Sequence, residues 1–249
     1  MDVFRFELLS RVPGVTHAIS TRSGGVSQGR YESLNVSYSV GDAQANVDEN
    51  IRRVSTAVGS RPEALFSAYQ VHGRKVTLVE ADTAPRPKCD VLATSSTART
   101  LMLRHADCTP VLLADPRRRV VAAVHAGWRG SAVRAATAAV EALRDAFGAR
   151  PENILAGIGP AIGPCCYVVG QDVVDAFADR PELVSRDEAG VKLDLWQANR
   201  QALVEAGVAD EHIEVAGVCT RCESERFFSH RANQGQPAGR FAALIKLEA

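Results

Sequence analysis

Apolar and polar positions along the chain change rhythm several times, and each change predicts an element. Val47, Ile51, Val54 and Val58 recur at helical spacing, which predicts a helix over Asn46–Gly59 with Gly59 as its stop. Ser131–Phe147 is alanine-rich, keeps Val133, Thr137, Val140, Leu143 and Phe147 on one face, and ends at Gly148; it reads as a second helix. Two further helices are expected over Gln171–Ala178 and Leu195–Ala206. Short apolar runs of buried-strand type fall at Val15–Thr21, Lys75–Glu80, Asp90–Thr94, Thr100–Arg104, Val111–Ala114, Arg119–Val124, Asn153–Ile158, His212–Val218 and Arg240–Lys246. Leu65–Val71 is another such run, with Phe66, Tyr69 and Val71 suited to a strand. Strands and helices are interspersed without a regular βαβ rhythm. That favours an α+β protein, a single domain of mixed β-sheets flanked by helices, over a doubly wound one.

No repeat, low-complexity tract or long linker divides the chain, so residues 1–249 are read as one domain. The 29 basic and 29 acidic residues cancel, so bulk charge gives no reason to expect nucleic acid or an anionic membrane as partner. The basic triplet Arg117-Arg118-Arg119 lies between two strand patterns and reads as an exposed turn. No run approaches the roughly 20 apolar residues that cross a bilayer, and the first residues lack a secretory pattern. The 6 cysteines, two of them adjacent, do not resemble a disulfide framework; reduced thiols in a cytoplasmic setting are expected.

The chemistry concentrates in three phrases: Gln70-Val71-His72-Gly73, Ala106-Asp107-Cys108-Thr109-Pro110 and His125-Ala126-Gly127-Trp128-Arg129-Gly130. His72, Cys108 and His125 each stand where a strand pattern meets a turn, a usual address for active-site groups. Two imidazoles and one thiolate suit a catalytic zinc ion that keeps its fourth position open; such an ion lowers the pKa of bound water toward ~7. Ordinary core packing of a Cys and two His residues is the alternative. His105 competes as a ligand, although strand alternation would turn it away from Cys108. A Cys-x-x-Cys stands at Cys219–Cys222 with no second pair at matching spacing, which is weak evidence for a metal or redox site. Cys165-Cys166 reads as strand-edge packing or a pocket wall.

Together with Gly157–Tyr167 and Phe228-Ser229-His230-Arg231, these phrases resemble the YfiH-like family, also called the polyphenol oxidase or laccase-domain family. The resemblance runs from Thr21-Arg22 to Gly239-Arg240. It implies a zinc site on His72, Cys108 and His125. It also implies purine nucleosides and phosphate as substrates, through phosphorolysis of adenosine, inosine and methylthioadenosine and deamination of adenosine. One departure stands out: Val168 occupies a position where the family commonly has Glu.

For phosphate, Arg22 beside Gly24-Gly25 suits a bidentate grip, and Arg129 and Arg231 are further candidates. Asn35 could hydrogen-bond the substrate, and His230 could line the pocket. Zinc deaminases usually place Glu two residues after a zinc-binding His; here Gly127 follows His125 at that spacing, so Asp107 is the nearest carboxylate in sequence for proton transfer, with a hydrogen bond supporting the metal ligands or a turn cap as its alternative roles. A multicopper centre would need about ten histidines given the reliance of copper on imidazole, and the chain has 6, but a single copper ion would fit the same three donors. A Cys108/His nucleophilic amide hydrolase and a non-catalytic binding module complete the alternatives. Nothing in the pattern predicts an oligomeric state.

Overall fold

The computed structural model describes residues 1–80 and 82–249. Among the described residues its strands form two large mixed sheets and one separate two-stranded hairpin. One has five strands in the order Val3–Phe4, Val15–Ser20, Phe241–Leu247, Thr100–His105, Leu65–Ser67. The other has six, in the order Ile213–Val215, Leu155–Ile158, Thr109–Asp115, Val120–Ala126, Val91–Thr94, Val76–Leu78. The two sheets bury a common core: Leu101, Leu103, Ala243 and Ile245 of the first meet Leu92, Leu112, Val121 and Ala123 of the second.

The outer face of each sheet is covered by helices. Val111, Leu113, Ala122 and Val124 pack with Ala136, Ala139, Val140 and Leu143 of helix Ala135–Phe147 and with Ala202 and Leu203 of helix Leu195–Glu205. On the five-stranded sheet, Ala18, Met102 and Leu244 pack with Val47, Ile51 and Val54 of helix Gln44–Ala57. Four layers result, helix–sheet–sheet–helix. Central strands therefore bury side chains in both directions, which is why their sequences are continuous apolar runs with no alternation. The mixed-sheet α+β architecture expected from the sequence is the one observed.

Four local expectations need correcting. Helix Ser131–Phe147 is two helices, Trp128–Ala132 and Ala135–Phe147, because Arg134 adopts a left-handed conformation (φ 56°) between them. Val133, assigned to the apolar face, is consequently 46% exposed. The run Leu65–Val71 is strand only to Ser67; Tyr69 and Val71 project into solvent. The helix expected over Gln171–Ala178 is shorter, Gln171–Asp175, and a hairpin of Val184–Asp187 with Gly190–Leu193 was not anticipated. The arginine triplet does form the turn between Thr109–Asp115 and Val120–Ala126.

Candidate active site

Strand register brings the three donors together. Thr109–Asp115 and Val120–Ala126 pair antiparallel, with Thr109 opposite Ala126 and Pro110 opposite His125. Cys108, one residue before the first strand, therefore lies at the same sheet end as His125. Val91 pairs with Val124, which puts Asp90 at that end as well, and the amide of His125 donates to the Asp90 carbonyl at 2.8 Å. Strand Leu65–Ser67 runs parallel to Thr100–His105, so the chain leaving each emerges on the same side and delivers His72 and Cys108. The ligand atoms of His72, Cys108 and His125 lie within 4.8 Å of one another.

Asp90 organises this set. Its buried carboxylate accepts from the amides of Val71 (3.2 Å), His72 (2.9 Å) and Gly73 (2.7 Å) and pairs with His125 Nδ1 at 2.8 Å. Three amides converging on one carboxylate hold the chain in a tight turn, with His72 at φ 61°. The bond to Nδ1 leaves His125 Nε2 free to face Cys108, the arrangement that orients metal-binding histidines. Burial raises the Asp90 carboxyl, but the bonds from His125, Gly73 and His72 outweigh it and hold it below the ordinary carboxylate range. Asp90 is not among the residues singled out from sequence; an acidic residue directly before a short, wholly buried strand is the signal that marks it.

Burial also raises the Cys108 thiol, yet the charge and hydrogen bonds of His125 and His72 bring it down to about 6. His125 is lowered by burial and raised more strongly by Cys108 and Asp90, to about 9. A thiolate is thus favoured at neutral pH, as metal ligation requires. Gly127 completes the cradle: a Cβ there would sit 2.8 Å from Cys108 Sγ and 3.2 Å from His72 Nδ1. The donor set thus fits a zinc or copper ion. His105 stands outside it. It shares Nδ1 with the Cys108 carbonyl at 3.2 Å, and burial keeps it well below its ordinary pKa, hence neutral.

The donors open onto a cavity of about 760 Å³. Arg129, His230 and Arg231 line it, as do Arg86, Arg104 and Arg240, which sequence reasoning did not select. Arg129 stacks on Trp128 at 4.1 Å, and Arg231 lies over Tyr167 at 5.1 Å while donating to the Val168 carbonyl at 2.8 Å. Two expected substrate residues are elsewhere. The Arg22 guanidinium donates to the carbonyls of Glu32 and Ser224 and stacks on Phe228, holding loops together away from the cavity. Asn35 is buried and bonded to Ser37, Asp42 and Arg240. Asp107 lines the cavity, but its two oxygens accept from Thr220 Oγ1 and the Arg231 amide, both at 2.6 Å. Both oxygens are thus committed to the Thr220 and Arg231 segments. Val168 lines no part of the cavity among the described residues; a Cβ on Gly190 would meet its Cγ1 at 3.1 Å, so it packs on the Val184–Leu193 hairpin.

A family model described as multi-copper polyphenol oxidoreductase laccase matches residues 16–248. A purine nucleoside phosphorylase of Deinococcus radiodurans is 41% identical, covering 96% of this chain and 92% of the relative. The purine nucleoside phosphorylase YlmD of Geobacillus stearothermophilus is 36% identical, covering 93% and 90%. The crystal structure of YlmD from Geobacillus stearothermophilus superposes with a TM-score of 0.89 at 35% identity, covering 96% of this chain and 93% of that one. A Bacillus licheniformis YfiH structure, titled a hypothetical protein, also gives 0.89 at 35% identity, covering 94% and 93%. By sequence, coverage and fold, the chain belongs to this laccase-like family, the group of YfiH and YlmD proteins.

Proposed function

We propose that this protein is a zinc-dependent purine nucleoside phosphorylase that cleaves adenosine, inosine and methylthioadenosine with inorganic phosphate and also deaminates adenosine. The observation that carries the reading is that one cavity is lined both by the His72–Cys108–His125 set and by several guanidinium groups. The names of the relatives point to the same substrate class.

In phosphorolysis a phosphate oxygen bonds to the ribose C1′ as the C1′–N9 bond breaks, and the base leaves with the bonding electrons and takes up a proton. Arg129 and Arg231, with Arg104 and Arg240, supply guanidinium donors for the phosphate; each charge-assisted hydrogen bond contributes about 1.5–3 kcal/mol. Trp128 and Tyr167 offer aromatic walls of a size to pack on a purine. A zinc ion held by His72, Cys108 and His125 would supply Lewis acidity to substrate oxygen or nitrogen. Because both oxygens of Asp107 are engaged, we assign it to holding the loop that carries Arg231 and give proton transfer to His230, which is exposed on the cavity wall.

The test is turnover of adenosine, inosine and methylthioadenosine with and without phosphate, following the released base, the sugar 1-phosphate and inosine formed from adenosine chromatographically alongside metal content. Phosphate-dependent adenine release lost in Cys108→Ala supports phosphorolysis, and phosphate-independent inosine formation supports deamination. Zinc-loaded protein inert toward all three nucleosides rejects the reading. A mononuclear copper oxidase is the second reading, favoured by the donor set and the family description. One copper per chain with phenol oxidation and no nucleoside turnover would establish it. A Cys108 amide hydrolase, suggested by the low thiol pKa, requires activity that persists in the metal-free protein.

A further inference from the structure

The two cysteine motifs that looked unrelated in sequence meet in space. Sγ atoms of Cys165, Cys166, Cys219 and Cys222 all lie within 4.8 Å of one another. Cys222 Sγ is 3.7 Å from Cys165 Sγ and 3.4 Å from Cys166 Sγ, although 57 and 56 residues separate them. Four thiolates around one zinc at about 2.3 Å form a tetrahedron with edges of about 3.8 Å. The observed spacing is close to that figure.

The backbone is also arranged for a thiolate. The Gly163 amide donates to Cys219 Sγ at 3.3 Å. An amide aimed at the sulfur is an outer contact of the kind that stabilises a metal-bound thiolate. Gly163 reaches this position only as glycine, since a Cβ would lie 2.5 Å from the Trp196 ring and 3.2 Å from Cys219 Cβ.

We propose that Cys165, Cys166, Cys219 and Cys222 form a second metal site, a closed four-thiolate zinc centre that clips the loop carrying Tyr167, which lines the cavity, to the Cys219–Cys222 turn. Loading it releases the thiol protons to solvent and involves no change of oxidation state. The clip reaches the active site through short connections. Tyr167 follows Cys166 and lines the cavity, and Thr220, between the two later cysteines, donates to Asp107, which in turn receives the Arg231 amide. With all four positions filled by protein, the site has no room for substrate and acts as structure. It stands independently of the nucleoside reading.

The test is zinc content of protein purified under reducing conditions, by plasma mass spectrometry. Two equivalents are expected in the wild type, one in His72→Ala/Cys108→Ala and one in Cys165→Ser/Cys222→Ser. A cysteine double variant that keeps the wild-type count overturns the proposal, as does a His72→Ala/Cys108→Ala chain that holds none. Should the cysteine variant fail to fold, cobalt(II) titration of the His72→Ala/Cys108→Ala protein decides. One equivalent with the intense thiolate-to-cobalt charge-transfer bands of a four-sulfur tetrahedral site supports it, and no such bands overturn it. A Cys166–Cys222 disulfide found by peptide mapping of alkylated, unreduced wild type would also overturn it.

Discussion

At Asp90 a single buried carboxylate serves three backbone amides and the His125 ring. Asp90→Asn keeps the volume but puts an NH₂ group where amides need an acceptor. Metal affinity should fall on the order of 10–100-fold, measured by chelator competition; undiminished affinity would show that the turn orients itself without the charge. His17 is a different buried imidazole. It accepts the Phe6 amide on Nε2 at 2.8 Å, so only its neutral form fits. Burial, with help from the Arg5 charge, lowers it from 6.5 to about 4. Below pH 6.5 the unfolded chain binds a proton that the folded chain refuses. Stability from neutral His17 is therefore complete above pH 6.5 and drains away as pH falls toward 4, by up to about 3 kcal/mol. Urea unfolding of His17→Gln at pH 5 and pH 7 should show a smaller difference between the two pH values than wild type shows.

Among the elements, helix Ala135–Phe147 has the clearest sequence signature and a start that the signature misses. Its apolar stripe continues smoothly upstream, but left-handed Arg134 separates it from helix Trp128–Ala132. Arg134 bonds Glu205 of helix Leu195–Glu205 and Asp179, contacts between segments that helical periodicity cannot register. The other end obeys the local rule: Gly148, at φ 66°, caps the helix through its amide to Arg144. A Cβ there would meet only Arg118, no closer than 3.8 Å, so conformation alone sets the cost of substitution. Gly148→Ala should lower stability by about 1–2 kcal/mol, seen as a reduced urea midpoint with unchanged slope.

For the molecule as a whole, the contact between the two sheets is decisive. Gly157, in strand Leu155–Ile158, leaves room for the Phe6 ring, which a Cβ would overlap at 2.3 Å. Phe6 is fully buried in the shared core. Gly157→Ala should cost about 1–3 kcal/mol through overpacking, measured by thermal and urea unfolding. The same interface fixes the relative position of the sheet supplying Cys108, His125 and Asp90 and the sheet from whose strand ends His72 follows. The variant should therefore also weaken metal retention; full stability would mean that Phe6 can swing aside freely.

Much of this was legible in the residues. Continuous apolar runs marked strands covered on both faces, helical periodicity marked the outer layers, and the His72, Cys108 and His125 phrases stood out because that donor chemistry is rare at strand ends. Those features are local, carried by residue type and spacing. The rest depended on partners distant in sequence. Asp90 became central because Val91 pairs with Val124; Arg22 and Asn35 proved to be loop braces because carbonyls and amides surround them; and Cys165-Cys166 gained meaning only beside Cys219 and Cys222. A side chain's type is written in the chain. What it faces is set by strand register and sheet packing, which are collective and which no short window of sequence contains.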